Sequence, residues 1–211
     1  MHRWPYLGSV AVLVATICVG VRARSAEPAK TTAKATVTVV GEMCCAKCEL
    51  GLGTDCAVGL KIGNATVALV NNKTAEKIFD ARTEGGLARV SGTVRVVDGH
   101  LEVTPTEAVA LAKEAKESPR FRIRGAQYCA ECELGLEGFP EVGIRDRDLV
   151  ILVGGKGREA EIVDQRFDDK DLLAEGAPKV TKGGYLVIEA TKVEILPPAK
   201  VASGAKGKSK S

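Results

Sequence analysis

Aromatic side chains make up only 4% of the 211 residues, and the single Trp, Trp4, lies in the N-terminal apolar segment. Stacking platforms for single-stranded nucleic acid rely on exposed aromatics in a basic groove. This composition offers neither feature, and no nucleic-acid partner is expected. Histidine is scarcer still: beyond His2 there is only His100. A Ser/His/Asp set would have only His100 to draw on, and none is read. A phosphate-cradling loop and a glycine-flanked nucleophilic serine are also missing. No enzyme constellation is expected. Acidic pairs such as Asp168-Asp169 sit in a lysine-rich context and read as solvated surface. Long apolar runs are lacking too. Leu7–Val21 spans 15 residues, too short to cross a bilayer comfortably, so no membrane anchor is expected in the mature chain.

That run reads as the core of a secretion signal. Arg3 precedes it, and Ala23-Arg24-Ser25 places small residues where a signal peptidase reads them, so residues 1–25 should be removed before Ala26. A periplasmic or secreted location follows. The net charge of +3 is then misleading. Without Arg3, Arg22, Arg24 and the tail lysines Lys200, Lys206, Lys208 and Lys210, the 30 basic residues fall to 23 against 27 acidic, a net of −4. The body is mildly acidic and lacks a nucleic-acid binder's basic footprint. The stretch 197–211 is Pro, Lys, Gly, Ser and Ala, cannot bury a core and should be disordered. Its lysines could touch an anionic surface.

What is present is a repeat. Cys45-Ala46-Lys47-Cys48-Glu49-Leu50-Gly51-Leu52 recurs 84 residues later as Cys129-Ala130-Glu131-Cys132-Glu133-Leu134-Gly135-Leu136. At the same offset Gly41 matches Gly125, and Val58-Gly59 matches Val142-Gly143. The chain is expected to carry two copies of one module, over 35–106 and 119–196, joined by a helical linker over the Ala-rich, charged 107–118.

Each copy has the same order of elements. Thr36-Val37-Thr38-Val39 alternates as a half-buried strand. Residues 57–62 and 66–70 flank a Gly63-Asn64 turn. Asn72 can cap a short helix over 74–82, with Ala75, Ile78 and Phe79 inward. Val90, Val94 and Val96 lead into an Asp98-Gly99 hairpin turn and a returning strand. In the second copy Phe121 and Ile123 alternate with three arginines. Residues 142–153 give a hairpin, 158–167 a helix, and Gly183-Gly184 turns into a last strand. Three strands, a helix and two strands is the chain order of an OB-like five-stranded barrel. The expected fold is mainly β, two tandem OB-like barrels, with α+β two-layer sandwiches as the alternative.

Cys18 leaves with the signal, so six cysteines remain: Cys44, Cys45, Cys48 and Cys56 in the first copy, and Cys129 and Cys132 in the second. Three uses are open. An even count in an oxidising compartment favours disulfides, which would make this a stapled structural or interaction protein. Cys-x-x-Cys on a tight turn offers two thiolates to one ion, and thiolates without imidazole favour zinc or monovalent copper. Cys45, Cys48, Cys56, Cys129 and Cys132 are the candidate ligands, with Cys44 beside them. The two pairs together could form a four-sulfur site between the modules. Thiol–disulfide exchange is disfavoured, because Glu49 and Glu133 oppose thiolate formation and Gly51, Gly53 and Gly135 interrupt any helix beyond. The leading expectation is a non-catalytic binding module, with a thiophilic metal as a candidate ligand.

Cys45, Cys48, Gly51, Cys56, Ala57-Val58 and Val90-Ser91-Gly92 resemble the pattern of small, uncharacterised bacterial exported domains with a Cys-x-x-Cys motif. The resemblance covers most of the first copy and, more loosely, the second. It implies a fold and an exported location. Such domains often carry a further cysteine near the helix end, where this chain has Glu84-Gly85-Gly86-Leu87. Gly41-Glu42-Met43-Cys44-Cys45-Ala46-Lys47-Cys48 also looks like the loop of heavy-metal-associated domains. That fold needs a long helix directly after the loop, which Gly51, Gly53 and Gly59 oppose.

Overall fold

The alternation read at the start of each copy becomes a long strand in the computed structural model, which describes residues 34–112, 115–135, 137–155, 162–163 and 170–197. β1 (Thr36–Cys45) buries Val37 and Val39 on one face. A five-residue helix, α1 (Ala46–Leu50), follows, then β2 (Val58–Ile62) and β3 (Ala65–Leu69). Asn72 caps as expected, its Oδ1 accepting from the Thr74 and Ala75 N–H groups at 2.9 Å each. The segment it caps is two 3-10 turns, Ala75–Ile78 and Asp80–Thr83, with Ala75 and Ile78 buried. β4 (Leu87–Val97) and β5 (His100–Ala110) meet at Asp98-Gly99. Both turn residues have positive φ, 49° and 80°, the conformation a two-residue hairpin turn requires.

The pairings close on themselves. β1 pairs antiparallel with β2, β2 with β3, and β4 with both β5 and β1, while β3 and β5 run parallel. This is a closed five-stranded barrel of OB type. The same order returns in β6 (Arg120–Cys129), α2 (Ala130–Leu134), β7 (Val142–Ile144), β8 (Ile151–Gly154), β9 (Asp171–Val180) and β10 (Leu186–Leu196). β6 pairs with β7 and β9, β10 with β9, and β8 runs parallel to β10.

The two rings are sewn together by β1 and β6, which pair antiparallel from Thr36 opposite Arg124 to Val40 opposite Arg120. All ten strands form one sheet, and the described residues form one compact unit. Apolar residues of both rings share one large buried cluster, in which Phe121 and Ile123 are fully covered, and Tyr128, Ala130 and Leu152 form a second, smaller one in the second ring. Outward-facing Arg122 and Arg124 pair with Glu175 and Asp171 on β9.

The expected helical linker is corrected. Glu107 to Ala110 finish β5 against Ser91 to Ala88, and no helix occurs among the described residues of 107–118. A bulge between Ser91 and Gly92 lets the ladder continue. Ladder hydrogen bonds to a strand already fixed on its other side outweigh a weak helical preference. The expected helix over 158–167 falls mostly outside the described residues, as do the 1–25 leader and residues 198–211 of the tail. No helix among the described residues is long and apolar enough to cross a membrane.

Candidate metal centre

β1 ends in two consecutive cysteines, and a strand sends consecutive side chains to opposite faces. Cys44 therefore turns away from Cys45. It is 2% exposed and packs against β2 beside Gly59. Burial raises its thiol pKa, and the Glu49 carboxylate adds to the rise. Cys45 becomes the N-cap of α1, its Sγ accepting the Cys48 N–H at 3.4 Å. Gly51 closes the helix in the left-handed conformation, φ 68°, which glycine adopts without a Cβ penalty. One turn of helix places Cys48 over Cys45. The Ala46 N–H donates to the Ala57 carbonyl at 2.9 Å and ties the far end of the loop, with Cys56, to the same spot.

The sulfurs of Cys45, Cys48 and Cys56 consequently lie within 4.8 Å of one another, with Cys45 buried and the other two exposed. All are free thiols. The group could hold a metal ion. Cys45 is lowered to about 7, chiefly because the Cys48 N–H stabilises its thiolate. Cys48 is raised to about 11 by its hydrogen bonds to Cys45 and Cys56. The Glu49 carboxylate, expected to oppose thiolate formation, is engaged by two partners. Glu49 Oε1 accepts the Cys45 backbone N–H at 3.0 Å and its Oε2 pairs with Lys61 at 2.9 Å.

In the second ring Cys129 and Cys132 are joined as a disulfide, with Cα atoms 5.3 Å apart. As a bonded pair they offer no thiolate. The four-sulfur site between modules is also ruled out by topology. Cys45 lies five residues beyond Val40, at one end of the β1–β6 seam, and Cys129 five residues beyond Arg124, at the other. The antiparallel seam that joins the rings holds their cysteine turns apart. His100 stands opposite Val97 and near Glu102, outside the cluster.

Sequence reasoning missed the ion pairs that brace both turns. Glu49–Lys61 in the first ring recurs as Glu133–Arg145 in the second. The signal was the 84-residue offset, which relates both members of each pair. The Arg145 guanidinium also lies over the Tyr128 ring, 5.2 Å from its centroid. Tyr128 stands where the first ring has Cys44, and burial pushes its hydroxyl up to about 12.

No family model and no curated protein matches the chain. Among solved structures it is similar to a deletion mutant of the single-stranded DNA binding protein from Thermus aquaticus. The TM-score is 0.43 and the identity 13%, over 82% of this chain and 100% of that one. The expectation of no nucleic-acid partner is corrected on the OB-type barrel itself. OB barrels bind oligonucleotides through local grooves, so bulk charge and aromatic content were not sufficient grounds for the exclusion. The match assigns no ligand to this chain.

Proposed function

We propose that this chain is an exported binding protein that takes up one thiophilic metal ion on the thiolates of Cys45, Cys48 and Cys56. The convergence of three sulfurs within 4.8 Å carries the reading. Metal–sulfur bonds of about 2.3 Å in a trigonal or tetrahedral shell set sulfurs about 3.8–4.0 Å apart. Side-chain rotation alone closes the difference. Three thiolates with no imidazole beside them suit monovalent copper ahead of zinc, which would complete its tetrahedron with water or an outside donor. Two of the three cysteines are exposed, so an ion can enter from solvent. Export is supported by the 1–25 leader, and kinship with exported Cys-x-x-Cys β-domains by the residues that carry that resemblance. No catalytic step is assigned.

The test is anaerobic titration of the reduced, metal-free chain with monovalent copper against a chromophoric chelator. One ion per chain is expected. Cys45→Ser, Cys48→Ser and Cys56→Ser should each weaken binding by about 100-fold or more, since even supporting groups outside the ligand set are worth about 10–100-fold. Cys44→Ser should leave affinity unchanged. Unchanged uptake in the triple Ser variant would overturn the reading.

A further inference from the structure

We propose that this metal centre is gated by redox: Cys45 and Cys48 close a disulfide that removes two of its three ligands, with a low-molecular-weight disulfide as the oxidant. The gate rests on the metal-binding reading for what it switches and on the second ring for its geometry.

The turns α1 and α2 are the same local structure. Cys45 caps at φ −85°, ψ 117°, and Cys129 at φ −80°, ψ 103°. The closing glycines, Gly51 and Gly135, stand at φ 68°, ψ 21° and φ 62°, ψ 31°. Cys48 N–H donates to Cys45 Sγ at 3.4 Å, and Cys132 N–H to Cys129 Sγ at 3.2 Å. A glutamate–cation pair braces both, Glu49 with Lys61 and Glu133 with Arg145. On this backbone Cys129 and Cys132 are already bonded. The Cys45 and Cys48 sulfurs start within 4.8 Å, so forming a bond of about 2.05 Å asks for side-chain rotation, not a new main-chain path.

What differs between the rings is the competing ligand. Counting the 84-residue offset, the position of Cys56 is held by Pro140. The second pair has no third sulfur with which to share an ion, and it is closed. The first pair has Cys56 beside it and is open. One turn therefore serves two end states, and the third cysteine separates them.

The chemistry balances as two exchanges. The Cys45 thiolate attacks one sulfur of the small disulfide and expels its first thiolate, leaving a mixed disulfide on Cys45. Cys48, as thiolate, attacks Cys45 Sγ and expels the second. The protein gives up two electrons and two protons, and both protons end on the two small thiols released. Cys56 remains a thiol with no partner ligand. A bound ion masks the attacking sulfurs, so the loaded centre oxidises more slowly than the empty one.

The experiment equilibrates the full reduced, metal-free chain with oxidised and reduced glutathione. It maps linkages by alkylation and peptide mass, and titrates the same samples with zinc against a chromophoric chelator. The expected result is a Cys45–Cys48 link with Cys56 alkylated. Zinc affinity should fall by about 100-fold or more, and dithiothreitol should restore it. Cys56→Ser should form the same link. A dominant Cys48–Cys56 or Cys45–Cys56 link, or unchanged zinc affinity in the linked chain, overturns the gate alone. A reduced chain that binds no metal overturns the gate together with the metal-binding reading.

Discussion

Replacing Gly59 by Ala would put a methyl group against three atoms already in place. Gly59 lies on β2 directly beneath α1. A Cβ there would be 2.7 Å from Leu50 Cδ1, 2.9 Å from Cys44 Sγ and 3.2 Å from Ala46 Cα. The first contact is to the end of a flexible side chain and can be relieved by rotation. The second is to a buried sulfur, and the third is to the backbone of the helix that carries the thiols, so α1 must lift from β2. Overpacking of this kind costs about 1–3 kcal/mol. For a chain of this size that lowers Tm by roughly 2–12 °C. Lifting α1 also stretches the Ala46–Ala57 hydrogen bond, which holds Cys56 to the helix. Metal affinity should then fall by about 10-fold, the scale of a disturbed supporting group. Circular dichroism melts of parent and variant, with and without saturating zinc, give both quantities. A variant that melts within about 1 °C of the parent and binds metal equally well would refute the account of how α1 is held.

The other predictions concern the seam and the titrating groups. Phe121 is fully buried and pairs across the seam with Val39 and within its own ring with Gly176. Phe121→Ala should cost about 3–5 kcal/mol and lower a single transition for both rings, whereas two separate transitions would contradict the shared core. In the metal-free chain, thiolate absorbance should step first near pH 7 at Cys45 and only toward pH 11 at Cys48. Cys48→Ala should raise the Cys45 step only in part, because the backbone N–H that is the largest single cause of the lowering remains. A Cys45 step at the ordinary value of 9.0 would count against this geometry. Tyr128 holds its proton to about 12 in the fold, against an ordinary 10.0. Its contribution to stability is complete below pH 10 and is lost as pH rises toward 12. Tyr128→Phe should therefore flatten the alkaline loss of stability, and an unaltered profile would contradict burial as the cause.

Much of the barrel was legible because its signals are local. Asp98-Gly99 and Gly63-Asn64 are turn pairs, and the apolar residues around them repeat every second position. Asn72 announced its cap by type and spacing. The seam was not legible in the same way. Alternation at Phe121 and Ile123 says which face is buried but not which strand lies alongside, and β1 supplies that partner with Val39 and Val37, 82 and 86 residues upstream. The same gap misplaced the linker, since Glu107 to Ala110 have helical composition but lie beside a strand edge that needs a ladder. Among the thiols, the sequence named the candidates without sorting them. Strand parity separates Cys44 from Cys45 once β1 is known to run through both, and the Ala46–Ala57 contact brings in Cys56. The separation of Cys45 from Cys129 follows only from the antiparallel seam, which no local pattern encodes.

The most direct measurement of the central claim is X-ray absorption at the metal edge, on the reduced full chain loaded with one equivalent of monovalent copper. Three thiolates at one turn predict a shell of about three sulfurs near 2.3 Å, reduced to two in Cys56→Ser. A shell of nitrogen and oxygen scatterers, or a sulfur shell that Cys56→Ser leaves intact, would contradict it.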